Sequence, residues 1–299
     1  MKKVEKRKTT PANESALPPI ASVGLVGLGA IGGSLAKALT AAGVPIRAWS
    51  NDPADVQSAL DFGIDAAEWN ADTKVADLDT WFIAVPVDAI ADVARQILGA
   101  RSKARCFHVG GLQRPDAIKL PKRLHDRVIG THPLAGTHLT GFTGSDPDLF
   151  NRRIVLAESR ADEETRERIE ELWEATGACV EYMDAEVHDG TMSWVSHLPQ
   201  LGAVALAATL AENTVDPNRL GPGALDATRL AMSSLMAWRP LLDAAPADTA
   251  QALGALERTV GAMRRALEEG DQEIISEFWQ SARKWRNLAE QGGGSSGAR

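Results

Sequence analysis

The fold of this chain is decided by the stretch Val23-Gly24-Leu25-Val26-Gly27-Leu28-Gly29-Ala30-Ile31-Gly32-Gly33-Ser34-Leu35. It begins with an apolar run that predicts a buried strand, and it ends in a helix whose apolar residues recur at three- and four-residue spacing. Between them, glycines suit a tight turn, a close backbone approach to a pyrophosphate, and close packing of helix on strand. The helix N-terminus offers free N–H groups to phosphates. This order predicts a dinucleotide site lined by Gly27, Gly29, Ala30, Ile31 and Gly32.

The size and composition of the chain are those of a soluble globular protein with room for two domains. It has 299 residues, of which 44% are hydrophobic and 24% are charged. Its net charge of -8 argues against nucleic acid as a main partner, because phosphates are neutralised by a basic surface. The two cysteines, Cys106 and Cys179, have neither metal-binding spacing nor a disulfide framework. We therefore expect no metal site and a reduced, cytoplasmic compartment.

Both ends of the chain are predicted to be disordered. Residues 1–20 are basic and then proline-containing, without the continuous apolar core of a secretory signal. Residues 291–299 are rich in glycine and serine, which is typical of a flexible end. The stretch 190–211 carries no acidic or basic side chain apart from a histidine, but its many small and polar residues favour a buried helix over a membrane span.

Strand and helix patterns alternate over the first part of the chain, 21–184. This alternation predicts an α/β fold with a Rossmann-type doubly wound sheet. Ligands of such sheets bind at the carboxyl ends of the strands, so Val85 and Pro86, which end one strand, are expected to border the cofactor. The predicted strands after the first are 45–50, 78–86, 104–109, 128–131, 153–157 and 179–183, and the helices after the first are 53–62, 88–98 and 162–176.

From residue 185 to about 290 the strand signals vanish, and an all-α domain is predicted. Its helices are expected at 185–213, 221–237, 239–244 and 247–289, from alanine and leucine at helical spacing. A helix that is apolar nearly all round must be buried, and a domain of this size has few places to bury it. A homodimer formed through the C-terminal helices is therefore expected.

The end of the second strand bears on the choice of cofactor. An NAD-specific unit usually has an acidic residue there for the ribose 2′-hydroxyl, but this chain has Ser50-Asn51, which leaves room for a 2′-phosphate. Asp52-Pro53 reads instead as the N-cap and first residue of the next helix. NADP is thus slightly preferred over NAD, with Arg47 as a candidate partner for the extra phosphate.

Three short motifs follow the glycine turn, and each is weak evidence alone. They are His132-Pro133-Leu134-Ala135-Gly136, then His188-Asp189 with Ser196-His197-Leu198-Pro199, and then Asp226-Ala227-Thr228-Arg229. In this order, and followed by Trp238, they resemble the prephenate/arogenate dehydrogenase family over about residues 22–290. The resemblance implies a nucleotide-binding domain and a helical dimerisation domain, with the active site between them.

The resemblance also implies a reaction and roles for residues. A cyclohexadienyl acid is oxidised and decarboxylated to an aromatic product, as in tyrosine biosynthesis or a secondary-metabolite relative of it, and hydride passes to the nicotinamide. His132 would take the proton, because a neutral imidazole is the natural acceptor near pH 7. Arg229, beside Thr228, would bind a substrate carboxylate. His197 would orient the substrate, while His188 and Asp189 look like fixtures between the domains.

The chain departs from the family pattern in two motifs. Where most members have Asp-x-Gly-Ser-x-Lys, this chain has His108-Val109-Gly110-Gly111-Leu112-Gln113, so the serine and the lysine are missing. Gln200 replaces the second histidine of Ser-His-Leu-Pro-His. A donor lost beside the reacting carbon costs about 3 kcal/mol of transition-state stabilisation. Either the site is slower, His108 substitutes, or the substrate is a relative such as arogenate or an amino analogue; Gly111 and Gln200 are expected at the substrate.

Two other functions are compatible with the sequence. A β-hydroxyacid dehydrogenase or imine reductase also joins a Rossmann domain to a helical dimer domain, but such enzymes usually carry a catalytic lysine or aspartate in the first long helix of the second domain, and the predicted helix 185–213 holds no lysine. A non-catalytic nucleotide-binding regulatory dimer is the other alternative, because the family's serine and lysine are lost.

Overall fold

The computed structural model describes residues 22–137 and 139–293. Within these residues eight strands form one sheet: β1 (Val23–Val26), β2 (Ile46–Ser50), β3 (Asp65–Glu68), β4 (Thr80–Ile83), β5 (Arg105–His108), β6 (Val128–Pro133), β7 (Ile154–Glu158) and β8 (Cys179–Met183). The strands β6 and β7 are antiparallel, and the other neighbouring strands are parallel. The order across the sheet is β3-β2-β1-β4-β5-β6-β7-β8, which confirms the predicted Rossmann-type sheet.

Helices cover both faces of this sheet. On one face, α1, α2 and α4 bury residues such as Leu35 and Trp173 against Phe82 of β4. On the other face, α3 buries Ile90 and Ile97 against Trp81, the neighbouring residue of the same strand. Successive residues of a strand point to opposite faces, so β4 is apolar throughout because both of its faces are covered. The helices are α1 (Ala30–Ala41), α2 (Pro53–Phe62), α3 (Ile90–Ala100) and α4 (Glu163–Glu174).

The ends of α1 and α2 lie where their caps predict. Gly43 follows α1 with a φ of 82°, and Gly63 caps α2 with a φ of 98°, both in the left-handed region that favours glycine. The Asp52 carboxylate accepts a hydrogen bond of 2.8 Å from the backbone N–H of Ala54, with Pro53 as the first residue of α2. The predicted N-cap role of Asp52 is therefore confirmed.

One strand was not predicted. β3 reads Asp-Ala-Ala-Glu and lacks the β-branched and aromatic residues that mark strands. It lies at the edge of the sheet and is held by its parallel pairing with β2. This pairing depends on a tertiary neighbour and not on local propensity.

The second half of the described chain is helical, as predicted. After β8 it contains α5 (Ala185–Met192), α6 (Leu198–Glu212), α7 (Pro222–Thr228), α8 (Leu235–Ala244), α9 (Pro246–Glu269) and α10 (Gln272–Gly293). A π-helical turn, Ser193–His197, joins α5 to α6, so the predicted helix 185–213 is continuous but not regular. Pro199 follows this turn and has no N–H to donate to the preceding turn.

Two predicted helices are in fact broken. The prediction of one helix over 221–237 is wrong, because α7 ends at Thr228 and is followed by a 3-10 turn, Arg229–Met232. The chain leaves helical structure at Ser233, and the Ser234 hydroxyl caps α8 by accepting from the backbone N–H of Met236 at 3.2 Å. The segment 239–244 belongs to α8. The helix 247–289 is two helices, because Gly270 ends α9 with a φ of 69°.

Much of the helical half is apolar and exposed in the single chain. The stretch predicted to be buried includes Val204 at 42% and Leu206 at 41% exposure. Met232 and Met236 are 85% and 86% exposed. Such faces are typical of surfaces that a partner covers. No helix within the described ranges combines the length and the apolar character needed to cross a membrane.

The two predicted disordered ends lie mostly outside the described residues. The tail at 1–20 lies outside the described residues. At the other end, α10 continues to Gly293, so residues 291–293 are helical and not a flexible end as predicted, and 294–299 lie outside the described residues.

Candidate active site

The glycine turn has the geometry that a dinucleotide requires. Gly27 has a φ of 102°, and a Cβ on it would lie 2.3 Å from the carbonyl oxygen of Ala84. A Cβ on Gly32 would lie 1.9 Å from the carbonyl oxygen of Gly27. A Cβ on Gly29 would meet nothing within 4 Å, and no side chain caps the N-terminus of α1. These residues fit a pyrophosphate, which can approach Gly29 and receive the first N–H groups of the helix.

Other predicted cofactor residues lie at the same edge of the sheet. Val85 follows β4, and its Cγ1 lies 3.2 Å from a Cβ built on Gly27; Pro86 is exposed beside it. Ser50 is buried, and its hydroxyl accepts from the backbone N–H of Asp52 at 3.2 Å. Asn51 is exposed at the end of β2.

Arg47 does not lie where a 2′-phosphate would need it. It is three residues before the end of β2, about 10 Å along the strand. Its Nε lies 3.2 Å from a carboxylate oxygen of Asp65, and its guanidinium lies over the Trp49 ring. The prediction that Arg47 binds the extra phosphate is contradicted by this placement.

His132, on β6, is joined to two residues of α5 by a chain of hydrogen bonds. Its Nδ1 lies 3.0 Å from Nε2 of His188, and Nδ1 of His188 lies 2.7 Å from Oδ1 of Asp189. The Asp189 carboxylate also accepts the backbone N–H groups of Gln113 at 2.8 Å and Arg114 at 3.0 Å. Asp189 therefore does connect the two halves of the chain, as predicted, but it also orients a histidine pair.

This chain of hydrogen bonds from Asp189 through His188 to His132, here called the relay, determines which nitrogen of His132 carries the proton. The Asp189 carboxylate can only accept, so His188 carries its proton on Nδ1 and accepts on Nε2. His132 then donates from Nδ1, which leaves its Nε2 unprotonated. Nε2 is 3.8 Å from a Cβ built on Gly111, beside the pocket. The sequence signal for this arrangement was the adjacent pair His188-Asp189 near the start of a helix. The contact of this pair with His132 could not be predicted from the sequence.

The surroundings of His132 keep it neutral. Burial, together with the neighbouring His188 and His108, lowers the pKa of His132 to about 3. At pH 7 its imidazole is therefore a hydrogen-bond acceptor at Nε2 and not a cation.

His197 lines the same pocket as His132. It is buried, and its Nδ1 lies 2.9 Å from the Thr249 hydroxyl oxygen. Its Nε2 is buried without a hydrogen-bond partner among the described residues. Burial lowers the pKa of His197 as well. Nε2 of His197 is therefore a buried polar atom whose hydrogen-bonding capacity the described residues leave unused.

Two adjoining pockets bring the predicted groups together. The inner pocket, of about 330 Å³, is lined by Ala30 and Ile31 of the glycine turn and by His132, His197, Gly111 and Leu241. The outer pocket, of about 550 Å³, is lined by Arg229, Gln200, Leu230, Met232 and Ser233. Both share Gly136, Thr137 and Trp238, so they form one cleft.

Two of the predicted catalytic and substrate-binding residues do not line this cleft. The Thr228 hydroxyl donates to the carbonyl of Ala224 at 2.7 Å, within its own helix. His108 is fully buried, and a carboxylate oxygen of Glu158 lies 4.0 Å from its Nε2. His108 therefore does not take the place of the missing serine, because it cannot reach a ligand in either pocket.

The other residues that differ from the family pattern, Gln113, Gln200 and Gly111, have identifiable contacts within the protein. The side-chain amide of Gln113 is buried and donates to the carbonyl of Leu156 at 2.6 Å. Gln200 donates to the carbonyl of Leu230 at 2.8 Å and lines the outer pocket. The space beside Gly111 is bounded by Leu241, whose Cδ1 lies 3.1 Å from a Cβ built there.

We expect Asp189→Asn to lower kcat by roughly 100-fold, within the range for a positioned base, while the substrate KM changes little. The amide no longer requires a proton on Nδ1 of His188, so His132 loses its fixed acceptor. Steady-state kinetics give the split, and Asp248→Asn is the matched control because Asp248 also faces Arg114, at 3.6 Å, without touching the histidines. An equal loss in both variants would contradict the relay.

The buried histidines predict a protein that loses stability in acid. Burial, with Arg160 nearby, lowers the pKa of His108 to about 3, and an unfolded histidine titrates near 6.5. Below about pH 6.5 only the unfolded chain binds the proton, so the free energy of unfolding falls by about 1.4 kcal/mol per pH unit for each such histidine. We expect Tm to fall from pH 7.5 to pH 5, and less steeply in His108→Gln than in the control His125→Gln. A Tm independent of pH would contradict this.

Comparison with known proteins places the chain in a family. The family model for the nucleotide-binding domain of prephenate dehydrogenase matches residues 35–182 of this chain. The family model for the dimerization domain of prephenate dehydrogenase matches residues 184–281. A prephenate dehydrogenase of Bacillus subtilis is 26% identical over 283 residues, covering 88% of this chain and 74% of the relative. A cyclohexadienyl dehydrogenase of Zymomonas mobilis is 27% identical over 284 residues, covering 88% and 94%.

One solved structure is similar to this chain along nearly the whole length of both proteins. It is the prephenate dehydrogenase of Aquifex aeolicus in complex with hydroxyphenyl propionate and NAD+, with a TM-score of 0.81 and 26% identity over 93% of this chain and 100% of that one. Since the two family models together span both halves of the fold, this chain belongs to the prephenate dehydrogenase family.

Proposed function

We propose that this protein is an NAD(P)-dependent dehydrogenase that oxidises and decarboxylates a cyclohexadienyl acid of the prephenate/arogenate type. The observation that carries the proposal is the cleft itself. It joins the dinucleotide turn, through Ala30 and Ile31, to a neutral acceptor on His132 and, in the outer pocket, to the guanidinium of Arg229. The relatives' names and the ligands of the Aquifex structure support the same reaction.

The side chains account for the proton. The nicotinamide, when bound, accepts hydride from the ring carbon that bears the hydroxyl. His132 Nε2 accepts the hydroxyl proton, and the charge that develops on its ring is stabilised through His188 by the Asp189 carboxylate. When the ring carboxylate leaves as CO2, its bonding electrons enter the ring. The ring oxygen then takes the proton back from His132, so no net proton is consumed.

Arg229 and His197 are proposed to hold the substrate. Arg229 is exposed in the outer pocket and has no ion-pair partner in the part of the chain that the structure describes. Its planar guanidinium suits a carboxylate in a bidentate arrangement. The unpartnered Nε2 of His197 would complete its hydrogen bonding on a polar substrate atom.

For the cofactor, we propose that NAD and NADP both serve. Ser50 and Asn51 leave room for a 2′-phosphate, which favoured NADP, but Arg47 is bound to Asp65. The carboxylate of Asp52 caps α2 and is not free for a ribose 2′-hydroxyl. With neither group in place, we expect the kcat/KM values for NAD and NADP to agree within about tenfold, that is within about 1.4 kcal/mol.

We further propose a homodimer formed through the helical domain, 185–290. The support is the match of this half to a dimerization domain and the exposed apolar side chains of α6 and α8. Light scattering of the purified protein should give twice the chain mass.

The experiment that tests the function is cofactor reduction followed at 340 nm, with prephenate and arogenate each supplied with NAD and NADP. Turnover of at least one acid is expected. Cofactor binding without turnover of either acid would favour the regulatory dimer or a different substrate. Turnover of a β-hydroxyacid instead would favour the β-hydroxyacid dehydrogenase alternative.

A further inference from the structure

We infer that Thr249 is a positioning residue that holds His197 in the tautomer with its proton on Nε2, so that His197 offers a hydrogen-bond donor to a ligand. This inference deepens the proposed function and rests on it for the identity of that ligand. Thr249 is in α9, and His197 ends the π-helical turn before α6. Nδ1 of His197 lies 2.9 Å from the Thr249 hydroxyl oxygen.

Both partners of this hydrogen bond are buried within one chain. His197 has no exposed surface, and Thr249 is 5% exposed. The Trp238 ring packs against His197 at right angles, with 6.1 Å between the ring centroids. The contact between Thr249 and His197 is therefore a property of the single chain and does not depend on what a second subunit would add.

The hydrogen bond of Thr249 differs from that of another threonine in the same helix. The Thr259 hydroxyl donates to the carbonyl of Ala255 at 3.1 Å, the common bond of a helical threonine. The Thr249 hydroxyl bonds to His197 instead. Burial lowers the pKa of His197, so its ring is neutral near pH 7.5 and carries its proton on one nitrogen only. Either the hydroxyl donates to Nδ1, or Nδ1 donates to the hydroxyl oxygen.

The count of buried polar groups favours donation by the hydroxyl. If Nδ1 of His197 donated, the Thr249 hydroxyl proton would be left over, because this hydroxyl bonds to no other group among the described residues. The lone pair on Nε2 would be unused as well. If the Thr249 hydroxyl donates to Nδ1, only the N–H group at Nε2 is left over. Since each unpaired buried polar group destabilises the fold, the arrangement with fewer of them is preferred.

The two histidines of the inner pocket then have opposite tautomers. The relay leaves Nε2 of His132 as an acceptor, and Thr249 leaves Nε2 of His197 as a donor. Both rings line this pocket. A protonated ligand oxygen matches His132, and an oxygen without a proton, such as that of a carboxylate or carbonyl, matches His197. Without the Thr249 hydroxyl, neither tautomer nor ring orientation of His197 is fixed from the Nδ1 side.

NMR of the imidazole nitrogens of the full chain tests the tautomer without any ligand, with His197→Gln to identify the His197 signals. Near pH 7.5 we expect a protonated Nε2 and an unprotonated Nδ1. Thr249→Val keeps the shape of the side chain without the hydroxyl and should shift the Nδ1 signal, whereas Thr249→Ser should leave it nearly in place. A proton on Nδ1 in the unchanged protein, or the same Nδ1 signal in Thr249→Val, would overturn the inference.

Steady-state kinetics with prephenate or arogenate test the positioning role. Thr249→Val should raise the substrate KM about fivefold, as expected for one hydrogen bond, and leave kcat within about twofold, because the relay to His132 is intact. Thr249→Ser should keep KM within about twofold of the unchanged protein. The matched control is Thr259→Val, whose lost hydrogen bond lies within α9 and away from the pocket, and its KM should not change.

The two measurements distinguish this inference from the proposed function. If neither acid is oxidised, the proposed function fails, and the NMR result alone decides the tautomer of His197. If an acid is oxidised, an unchanged KM in Thr249→Val, or an equal rise in Thr259→Val, would overturn the positioning role of Thr249.

Discussion

Replacing His132 by Asn or Ala is expected to lower kcat by about 100- to 10,000-fold and to leave the substrate KM nearly unchanged. The reason is that Nε2 receives the hydroxyl proton only as the hydride leaves, so the lost interaction belongs to the transition state. The fixed tautomer of His132, set through His188, makes this nitrogen the acceptor in every molecule. Steady-state rates at 340 nm give both constants.

The matched control for this variant is His125→Asn. His125 contacts the backbone carbonyl of Leu120 at 3.1 Å and lines neither pocket, so its loss should leave kcat within about twofold of the unchanged protein. A His132 variant with normal kcat would remove this residue from the mechanism. Equal losses in both variants would point to folding and not to chemistry.

Arg229→Ala is expected to raise the substrate KM by roughly 10- to 150-fold, which corresponds to the 1.5–3 kcal/mol of a hydrogen bond to a charged group. The guanidinium lies in the outer pocket without an ion-pair partner among the described residues, so a substrate carboxylate would be its first. Arg229→Lys should recover part of the loss, because a lysine keeps the charge without the planar fork.

Arg219→Ala is the control for this second prediction. Arg219 is exposed, pairs with Asp216 and lies outside both pockets, so its removal should not change the substrate KM. Normal substrate affinity in Arg229→Ala would contradict the carboxylate role. A rise in KM in both variants would mean that the effect comes from net charge and not from a specific contact.

Local patterns predicted the first half of the fold well, because their causes lie within a few residues. Gly43 and Gly63 follow α1 and α2 with the left-handed φ typical of helix terminators, and Asp52 caps α2 as the sequence predicted. The breaks in the second half had local signals too. Ser233-Ser234 precedes Leu235 as an N-cap does, and Gly270 takes a left-handed φ as a helix terminator does.

Other features could not be read from a single stretch. The edge strand β3 has little strand propensity and is held by its neighbour β2. Arg47 was predicted to be available for a phosphate, but in the structure it pairs with Asp65, eighteen residues later in the chain. His108 was a candidate to replace the missing serine as a hydrogen-bond donor, but it is completely buried at the end of β5.

By itself, the sequence determined a dinucleotide turn, an alternating α/β half, a helical half and a set of polar motifs, because these depend on backbone sterics and on short-range periodicity. Only the tertiary structure decided which of those polar groups meet. His132 and His188 are 56 residues apart, and their contact forms only when the folded chain brings a residue of α5 to a residue of β6. The acceptor nitrogen at the pocket follows from this long-range contact, which no local pattern encodes.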